Sequence, residues 1–267
     1  MPDIKNEEIY LSRMRKTFSD KKWFMDVIPR EVDTIIDFGS ADNSFIDFLR
    51  NDHPEYRYVG IENNEDFLRA SIRKGQECYR SITEFKENAE YGPSKTLLVL
   101  NSVLHEVYSY GYEDSFWHSL RVLKPKYIAI RDMNAMDCDR FSSGTLVEFE
   151  RMIERHGIGQ KYKDFIEKWG RALDGYTALH FMLKYFYDEN WSREVAENYI
   201  PFTYRELYRK FREIGYDVSM SRFYLLPYLK RRWSADFLVD ENGKIKEFIN
   251  HAKTHMKIFL LHEDEDA

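Results

Sequence analysis

The chain has 267 residues, with 40 Lys or Arg against 46 Asp or Glu for a formal net charge of -6; this length buries a full core, as one domain with an insertion or as two domains. An acidic balance argues against a surface built throughout for a polyanion, and only 12 Gly and 7 Pro predict order almost everywhere. The start MPDIKNEEIY reads as acidic and polar, unlike a leader's basic segment and apolar core, no apolar run reaches membrane length, and Cys78 and Cys138 form no CxxC, so the sequence reads as a soluble, reduced, cytoplasmic protein with one disulfide as the alternative.

The predicted elements alternate over the first half. Residues 7 to 28 predict a helix that places Ile9, Met14, Phe18 and Trp23 on one face and stops at Pro29. TIIDFG is a short β-rich run ended by Gly39. SFIDFLRN follows as a helix, with Ser44 and Asp47 in approximate capping-box relation. YRYVGIE (56 to 62) is the second strand, NNEDFLRASIRKG the second helix of the alternation, and ECYRSI a weak third strand. KTLLVLN gives four apolar residues, Leu97 to Leu100, without alternation, as in a strand covered on both faces. A helix closed by Pro125 and the strand KYIAIRDM complete the pattern. Repeated strand, helix and strand at this spacing predict an α/β fold with an open, doubly wound, mostly parallel sheet.

Between residues 134 and 200 the alternation stops. TLVEFERMIERHG, with Thr145 and Glu148 in capping-box relation, KYKDFIEKWGRAL and DGYTALHFMLKYFY read as helices. We expect a helical insertion after the fifth strand that covers the substrate side, within a core formed by residues 1–133 and 201–267. The pattern resumes at Thr203 and Glu206, a further capping pair, runs to Gly215, and ends in strands.

In an open parallel sheet a ligand lies beyond the carboxyl ends of the strands. Polar residues gather there after the first strand (Asp37 to Asn43), the second (Glu62, Asn63) and the fourth (Asn101 to Glu106). A turn at a helix start supplies backbone N–H groups, and a carboxylate accepts from a ribose diol, which together suit an adenosine-containing ligand. The turn has Gly39 alone where a dinucleotide site wants G-x-G-x-x-G, Asp42 would repel a diphosphate, and no P-loop motif exists. An adenosine without phosphates, carrying an ammonium for Asp37 or a backbone carbonyl, fits better.

These stretches, TIIDFGSADNSFIDFL, YRYVGIENN, LLVLNSVLHEV and RVLKPKYIAIRDM, resemble the class I S-adenosylmethionine-dependent methyltransferases over residues 30 to 133, and FREIGYDVSM with HMKIFLLHE resembles their closing helix and antiparallel hairpin. The resemblance implies a seven-stranded Rossmann-like sheet and S-adenosylmethionine as cofactor. By position it assigns the cofactor to Asp37, Gly39, Ser40, Ala41, Glu62, Asn63, Asn101 and Ser102. Ala41 and Asn43 stand where that family usually has glycines, a mild change for Ala41 only if its φ is negative. Singly, each residue has a plainer reading: Asp37 as a turn brace, Glu62 as a solvated strand end, Asn101 and Ser102 as turn formers.

His105 is placed to take a proton from an acceptor or to serve the packing. Asp132 joins it as a catalytic candidate, Tyr108 and Arg131 are candidates for the substrate, and ion-pair packing is the competing reading of Arg131 and Asp132. His180 reads as a packing residue, and the adjacent His105 and Glu106 do not make a metal site. The signature of nucleic-acid amino-methyltransferases, Asn or Asp before two prolines and an aromatic, is absent after the fourth strand. Residues 201 to 232 hold eight Lys or Arg against three acids, a solvated face or an anion site. The expected activity is methyl transfer to an oxygen or nitrogen of a small molecule. RNA or protein substrates, a silent binding protein of the same fold and a nicotinamide oxidoreductase are the alternatives; no membrane partner is expected and the oligomer is unspecified.

Overall fold

The helix expected over residues 7 to 28 is broken into three. In the computed structural model, which describes residues 7–134, 140–238 and 243–263, α1 (Glu7–Arg15) stops where the amide and hydroxyl of Thr17 both donate to the Met14 carbonyl. A threonine that engages a backbone carbonyl in this way competes with the helix. The next pieces are α2 (Phe18–Lys21) and a 3-10 turn at Lys22–Asp26, which bury Phe18, Trp23 and Phe24.

The chain then alternates through β1 (Thr34–Phe38), α3 (Ser44–Asp52), β2 (Arg57–Ile61), α4 (Glu65–Arg73), the two-residue β3 (Cys78–Tyr79), α5 (Ile82–Asn88), β4 (Thr96–Asn101), α6 (Leu104–Ser109), α7 (Glu113–Leu123) and β5 (Tyr127–Met133). Helices follow: α8 (Ser143–Arg155), α9 (Gly159–Trp169), α10 (Gly175–Met182), α11 (Trp191–Ala196) and α12 (Tyr204–Arg212). The remainder is β6 (Tyr216–Tyr224), α13 (Pro227–Trp233), a π-helical turn at Ser234–Leu238, α14 (Gly243–His251) and β7 (His255–His262). Cys138 lies outside the described residues.

Caps decide several of these boundaries. The reciprocal Thr203–Glu206 box forms: the Glu206 amide donates to Thr203 Oγ1 at 3.2 Å and the Thr203 amide to Glu206 Oε2 at 2.7 Å. Two other expected boxes do not. Ahead of α3, Asp42 Oδ1 accepts from the amide and hydroxyl of Ser44, and the residue at the cap is Asn43 with φ 57°. Ahead of α8 the capping oxygen is that of Ser142, three residues earlier than expected, and it accepts from the Thr145 amide at 3.1 Å. Helix α5 was not anticipated, although Ser81 and Glu84 stand in S-x-x-E spacing and Ser81 Oγ accepts from the Glu84 amide.

The sheet has seven strands in the order β3-β2-β1-β4-β5-β7-β6. β1 pairs in parallel with both β2 and β4, and β4 with β5. Every residue of β4 and β5 is buried, which is why their sequences are apolar without alternation. β7 runs the other way: the His262 amide donates to Lys126 O and that of Asn134 to Thr254 O, at opposite ends of β5. Its pairing with β6 is antiparallel as well, from Glu263 N–H to Gly215 O and Thr254 N–H to Tyr224 O.

The chain divides into two compact units. One runs up to Asp132 and takes in Leu207–Ser221 and the residues from Lys257 onward; the other comprises Met133–Glu206 and Arg222–Met256. In the first, Ile35, Phe45, Leu49, Leu97, Val99 and Phe259 belong to one core. The second has its own core, in which Phe149, Phe165, Phe181, Trp233, Ile245 and Ile249 are almost wholly buried. Helices α13 and α14, inserted between β6 and β7, therefore share a core with α8 to α10. Among the described residues no helix is long and apolar enough to cross a membrane.

Candidate functional site

The carboxyl ends of β1, β2, β4 and β5 carry a connected set of buried polar groups. The turn after β1 is built on left-handed backbone: Gly39 has φ 76°, Ala41 47° and Asn43 57°. Ala41 thus has a positive φ, and the condition under which alanine would be a mild change here is not met. A left-handed alanine costs about 1–2 kcal/mol locally, and the surrounding bonds hold it there. Its amide donates to Glu62 Oε2 at 2.8 Å, while the amides of Gly39 and Ser40 both donate to Ile61 O. These three N–H groups are spent on β2, so the turn is no open cradle for a phosphate.

Two glycines permit this packing. A Cβ on Gly39 would stand 2.8 Å from Val103 Cγ2, and one on Gly60, in β2, 2.4 Å from Asn43 Oδ1 and 2.6 Å from Ser40 Oγ. Gly60 gave no signal in the sequence, because a glycine inside a strand is read only from what approaches it. Substituting either residue by Ala is expected to lower unfolding free energy by about 1–3 kcal/mol. Urea denaturation measures it, and a change below about 0.5 kcal/mol would show that the turn reshapes freely.

Asp37, next to last in β1, is buried, with its backbone in register with Gly60 and Val99. Burial pushes its carboxyl up to about 7, the neighbouring Glu62 adds to this, and the Lys21 ammonium opposes it. Lys21, from α2, is itself buried; burial and then Arg131 bring it down to about 8, against Asp37, Glu106 and Asp132. Sequence reasoning missed Lys21, since nothing distinguishes it from the adjacent Lys22, which pairs with Asp52 at the surface. Glu62 accepts the backbone N–H of Ala41 on one oxygen and that of Asn64, at 2.7 Å, on the other; burial raises its pKa against these bonds and a further one from the Asn63 amide. Part of its acceptor capacity stays open. Asn63 is exposed, and its neighbour Asn64 caps α4. Ser40 Oγ and both polar atoms of the Asn43 carboxamide are buried without a hydrogen-bond partner, near the Cys78 thiol, whose pKa burial pushes up to about 11.

Asn101 ends β4 in register with Arg131. Its carboxamide is buried and neither Oδ1 nor Nδ2 has a hydrogen-bond partner. Ser102 follows with φ 58°; its amide donates to Arg131 O at 2.7 Å and its Oγ accepts from Arg131 Nη1 at 2.6 Å. Arg131 Nε donates to Asp20 of α2 at 2.9 Å, and Lys257 reaches the other oxygen of Asp20 at 2.7 Å. The arginine is 3% exposed, held between Ser102 and Asp20.

Asp132 and His105 meet. Asp132 Oδ1 lies 2.9 Å from His105 Nδ1, and Oδ2 accepts from the amides of Leu104 at 2.7 Å and His105 at 3.4 Å. The carboxylate therefore caps α6 and orients the imidazole in one stroke. Tyr108, on the same helix, has its hydroxyl 3.2 Å from the Trp117 indole nitrogen that donates to it, with the Lys210 ammonium 5.7 Å from its ring centre. Within the basic run of residues 201 to 232, Arg212 pairs with Asp217 at 3.0 Å and Arg232 with Asp236 at 3.2 Å.

A nicotinamide-binding doubly wound sheet orders its strands 3-2-1-4-5-6, all running the same way. Here β7 lies antiparallel between β5 and β6. The chain has the class I S-adenosylmethionine-dependent methyltransferase fold. No protein-family model matches the sequence and no curated protein matches it. Among solved structures, the plantazolicin methyltransferase BamL, crystallised with a triazolic desmethylPZN analog and SAH, is similar at 8% identity over 96% of this chain and 87% of that one, with a TM-score of 0.50. A SAM-dependent methyltransferase from Archaeoglobus fulgidus is 14% identical over 96% of this chain and 94% of that one, with a TM-score of 0.46. At such identities the likeness is one of fold. In this methyltransferase fold Asp37, Glu62 and Asn101 occupy the carboxyl ends of β1, β2 and β4.

Proposed function

We propose that the protein is an S-adenosylmethionine-dependent methyltransferase acting on an oxygen or nitrogen of a small molecule. The observation that carries the reading is the buried, partnerless carboxamide of Asn101 at the end of β4, with the carboxylates of Asp37 and Glu62 following in turn at the ends of β1 and β2. A buried amide without partners costs about 1–3 kcal/mol until something supplies them, and an adenosine ligand offers both donors and acceptors. The BamL structure, which has this fold and was crystallised with SAH, favours the same cofactor.

In this reading Asp37 meets the ligand's ammonium, Glu62 uses its remaining lone pairs for the ribose diol, and Asn101 and Ser102 face the cofactor from β4. The bound cofactor supplies a methyl group on a sulfonium, whose thioether leaves without acid catalysis. The chain has then to hold the acceptor and accept its proton. Asp132 holds His105 with Nδ1 as donor, which makes Nε2 the basic nitrogen; this nitrogen takes the acceptor's proton. Arg131 and Asp20 act as positioning residues for Ser102. Tyr108 is assigned to acceptor recognition. BamL is a plantazolicin methyltransferase crystallised with a triazolic analog, and an azole-bearing acceptor is the second candidate class.

Calorimetry with SAH and with NAD tests the reading. SAH is expected to bind and NAD not. Glu62→Gln keeps one acceptor oxygen for the backbone yet loses the charge, and is expected to weaken SAH by about ten- to a hundredfold, that is about 1.5–3 kcal/mol. Unchanged affinity in the folded variant would remove Glu62 from the ribose site, and NAD binding in place of SAH would overturn the assignment.

A further inference from the structure

Helix α2 is a single turn, yet it buries Phe18 and Lys21 and is fastened on two sides. Phe18 packs on α3, its ring centre 5.2 Å from that of Phe45 and 5.5 Å from that of Phe48. Asp20 accepts from Arg131 Nε of β5 at 2.9 Å and from Lys257 Nζ of β7 at 2.7 Å. These anchors set Lys21 at the carboxyl ends of the parallel strands, where Arg131, Asp37, Glu106 and Asp132 are its charged neighbours.

Lys21 is 6% exposed, and among the described residues no group engages its ammonium in a hydrogen bond or an ion pair. The Asp37 carboxylate, also buried, accepts no hydrogen bond among the described residues either. The two charges lie near enough to act on each other and yet do not pair. Neither is sealed in as the Asn101 carboxamide is: the Lys21 nitrogen and the Asp37 oxygens each keep an edge on solvent-accessible space. Two opposite charges largely stripped of water and left unpaired are costly in the free protein. A ligand with a cation and an anion on neighbouring groups relieves both at once, and the α-ammonium and α-carboxylate of an amino acid are such a pair.

We propose that Lys21 binds the α-carboxylate of the cofactor's amino-acid end, so that the site selects a zwitterionic tail over an ammonium alone. The inference rests on the S-adenosylmethionine reading, with Asp37 on the ammonium. Arg131 is tied to Asp20 through Nε and to Ser102 through Nη1, and Lys22 pairs with Asp52 at the surface, which leaves Lys21 as the cation suited to the task. An ammonium-only ligand would set its charge beside Lys21 with nothing to offset the repulsion.

The test is calorimetry at pH 7 on the full chain with SAH and with S-adenosylthiopropylamine, its decarboxylated counterpart, which keeps the ammonium. Burial brings Lys21 down to about 8, so it is mostly charged at this pH. The wild-type chain is expected to bind SAH at least about tenfold more tightly than the decarboxylated ligand. Lys21→Met keeps an unbranched stem and removes the charge, and it should bring the two affinities within about threefold of each other. Any effect of Met on the ionisation of Asp37 acts on both ligands alike, because both carry the ammonium, so the ratio reads the carboxylate contact alone. A merely structural role for Lys21 would weaken both ligands by one factor and leave the ratio as it was, which overturns the proposal. Equal affinity of the two ligands for the wild-type chain overturns it as well, and that result needs no variant to fold. SAH bound without preference removes only the role of Lys21, whereas SAH that fails to bind the wild-type chain removes the cofactor reading and this inference with it.

Discussion

SAH is expected to bind close to tenfold more weakly at pH 6 than at pH 7.5. The cause is Asp37, whose carboxyl burial lifts to about 7 from an ordinary 3.8. An ammonium is recognised by the ionised form alone, and a group with that pKa is roughly a tenth ionised at pH 6 and mostly ionised at pH 7.5. Asp37→Asn should bind SAH about ten- to a hundredfold more weakly at pH 7.5 and lose the pH dependence, since the charged partner is gone. Folding stability bears on the same group with a definite sign. A carboxyl whose folded pKa is raised binds its proton more tightly in the native state, so its contribution is present at low pH and lost as pH rises from about 4 through about 7. Asn at this position abolishes that loss. Lys21 supplies a control: its ammonium is the group that lowers the Asp37 pKa, and Lys21→Met should move the binding transition to higher pH. A flat affinity profile in the wild type, measured by calorimetry across pH 5.5 to 8, would take Asp37 out of ammonium recognition.

Asp132→Ala is expected to be among the most destabilising single changes in the chain, at about 3–5 kcal/mol. The carboxylate is 0% exposed and is met by three groups, the amides of Leu104 and His105 and the His105 ring. Truncation leaves those donors buried and removes the cap of α6 together. Urea denaturation reads the loss, and a cost below about 1 kcal/mol would mean that water replaces the carboxylate. His105→Gln separates architecture from chemistry. It is expected to fold, because the α6 amides keep their acceptor, yet to lose about 10²–10⁴ in methyl-transfer rate with SAH affinity unchanged. Retained transfer would assign His105 to packing.

Much of the sheet unit was legible because its signals are local. Leu97 to Leu100 and Ile128 to Ile130 are apolar without alternation because both faces are covered, and composition alone records that. The Thr203–Glu206 box was legible for the same reason, since donor and acceptor stand three residues apart. Where a nearby residue competed, local rules misplaced the boundary: Ser142 took the cap expected of Thr145, and Thr17 broke a helix whose apolar spacing continued past it. The eight basic residues counted between 201 and 232 looked like one feature in the linear chain, yet partners such as Asp217 and Asp236 take up individual members.

By itself, the sequence determined which stretches become the parallel strands and where their polar ends gather, because burial on both faces and turn chemistry are written within a few residues. Only the tertiary structure decided what those ends do to one another. Lys21 reaches the environment of Asp37, Glu62 takes the amide of a residue 21 positions earlier, and Asp132 orients a histidine 27 positions before it. Ala41 holds a left-handed backbone that its identity disfavours, because Glu62 fixes its amide and Gly60 leaves room for the neighbouring Ser40 and Asn43 side chains. Such couplings act through space, between groups that burial has stripped of water, and a buried charge or amide has no fixed character until its neighbours in the fold are known.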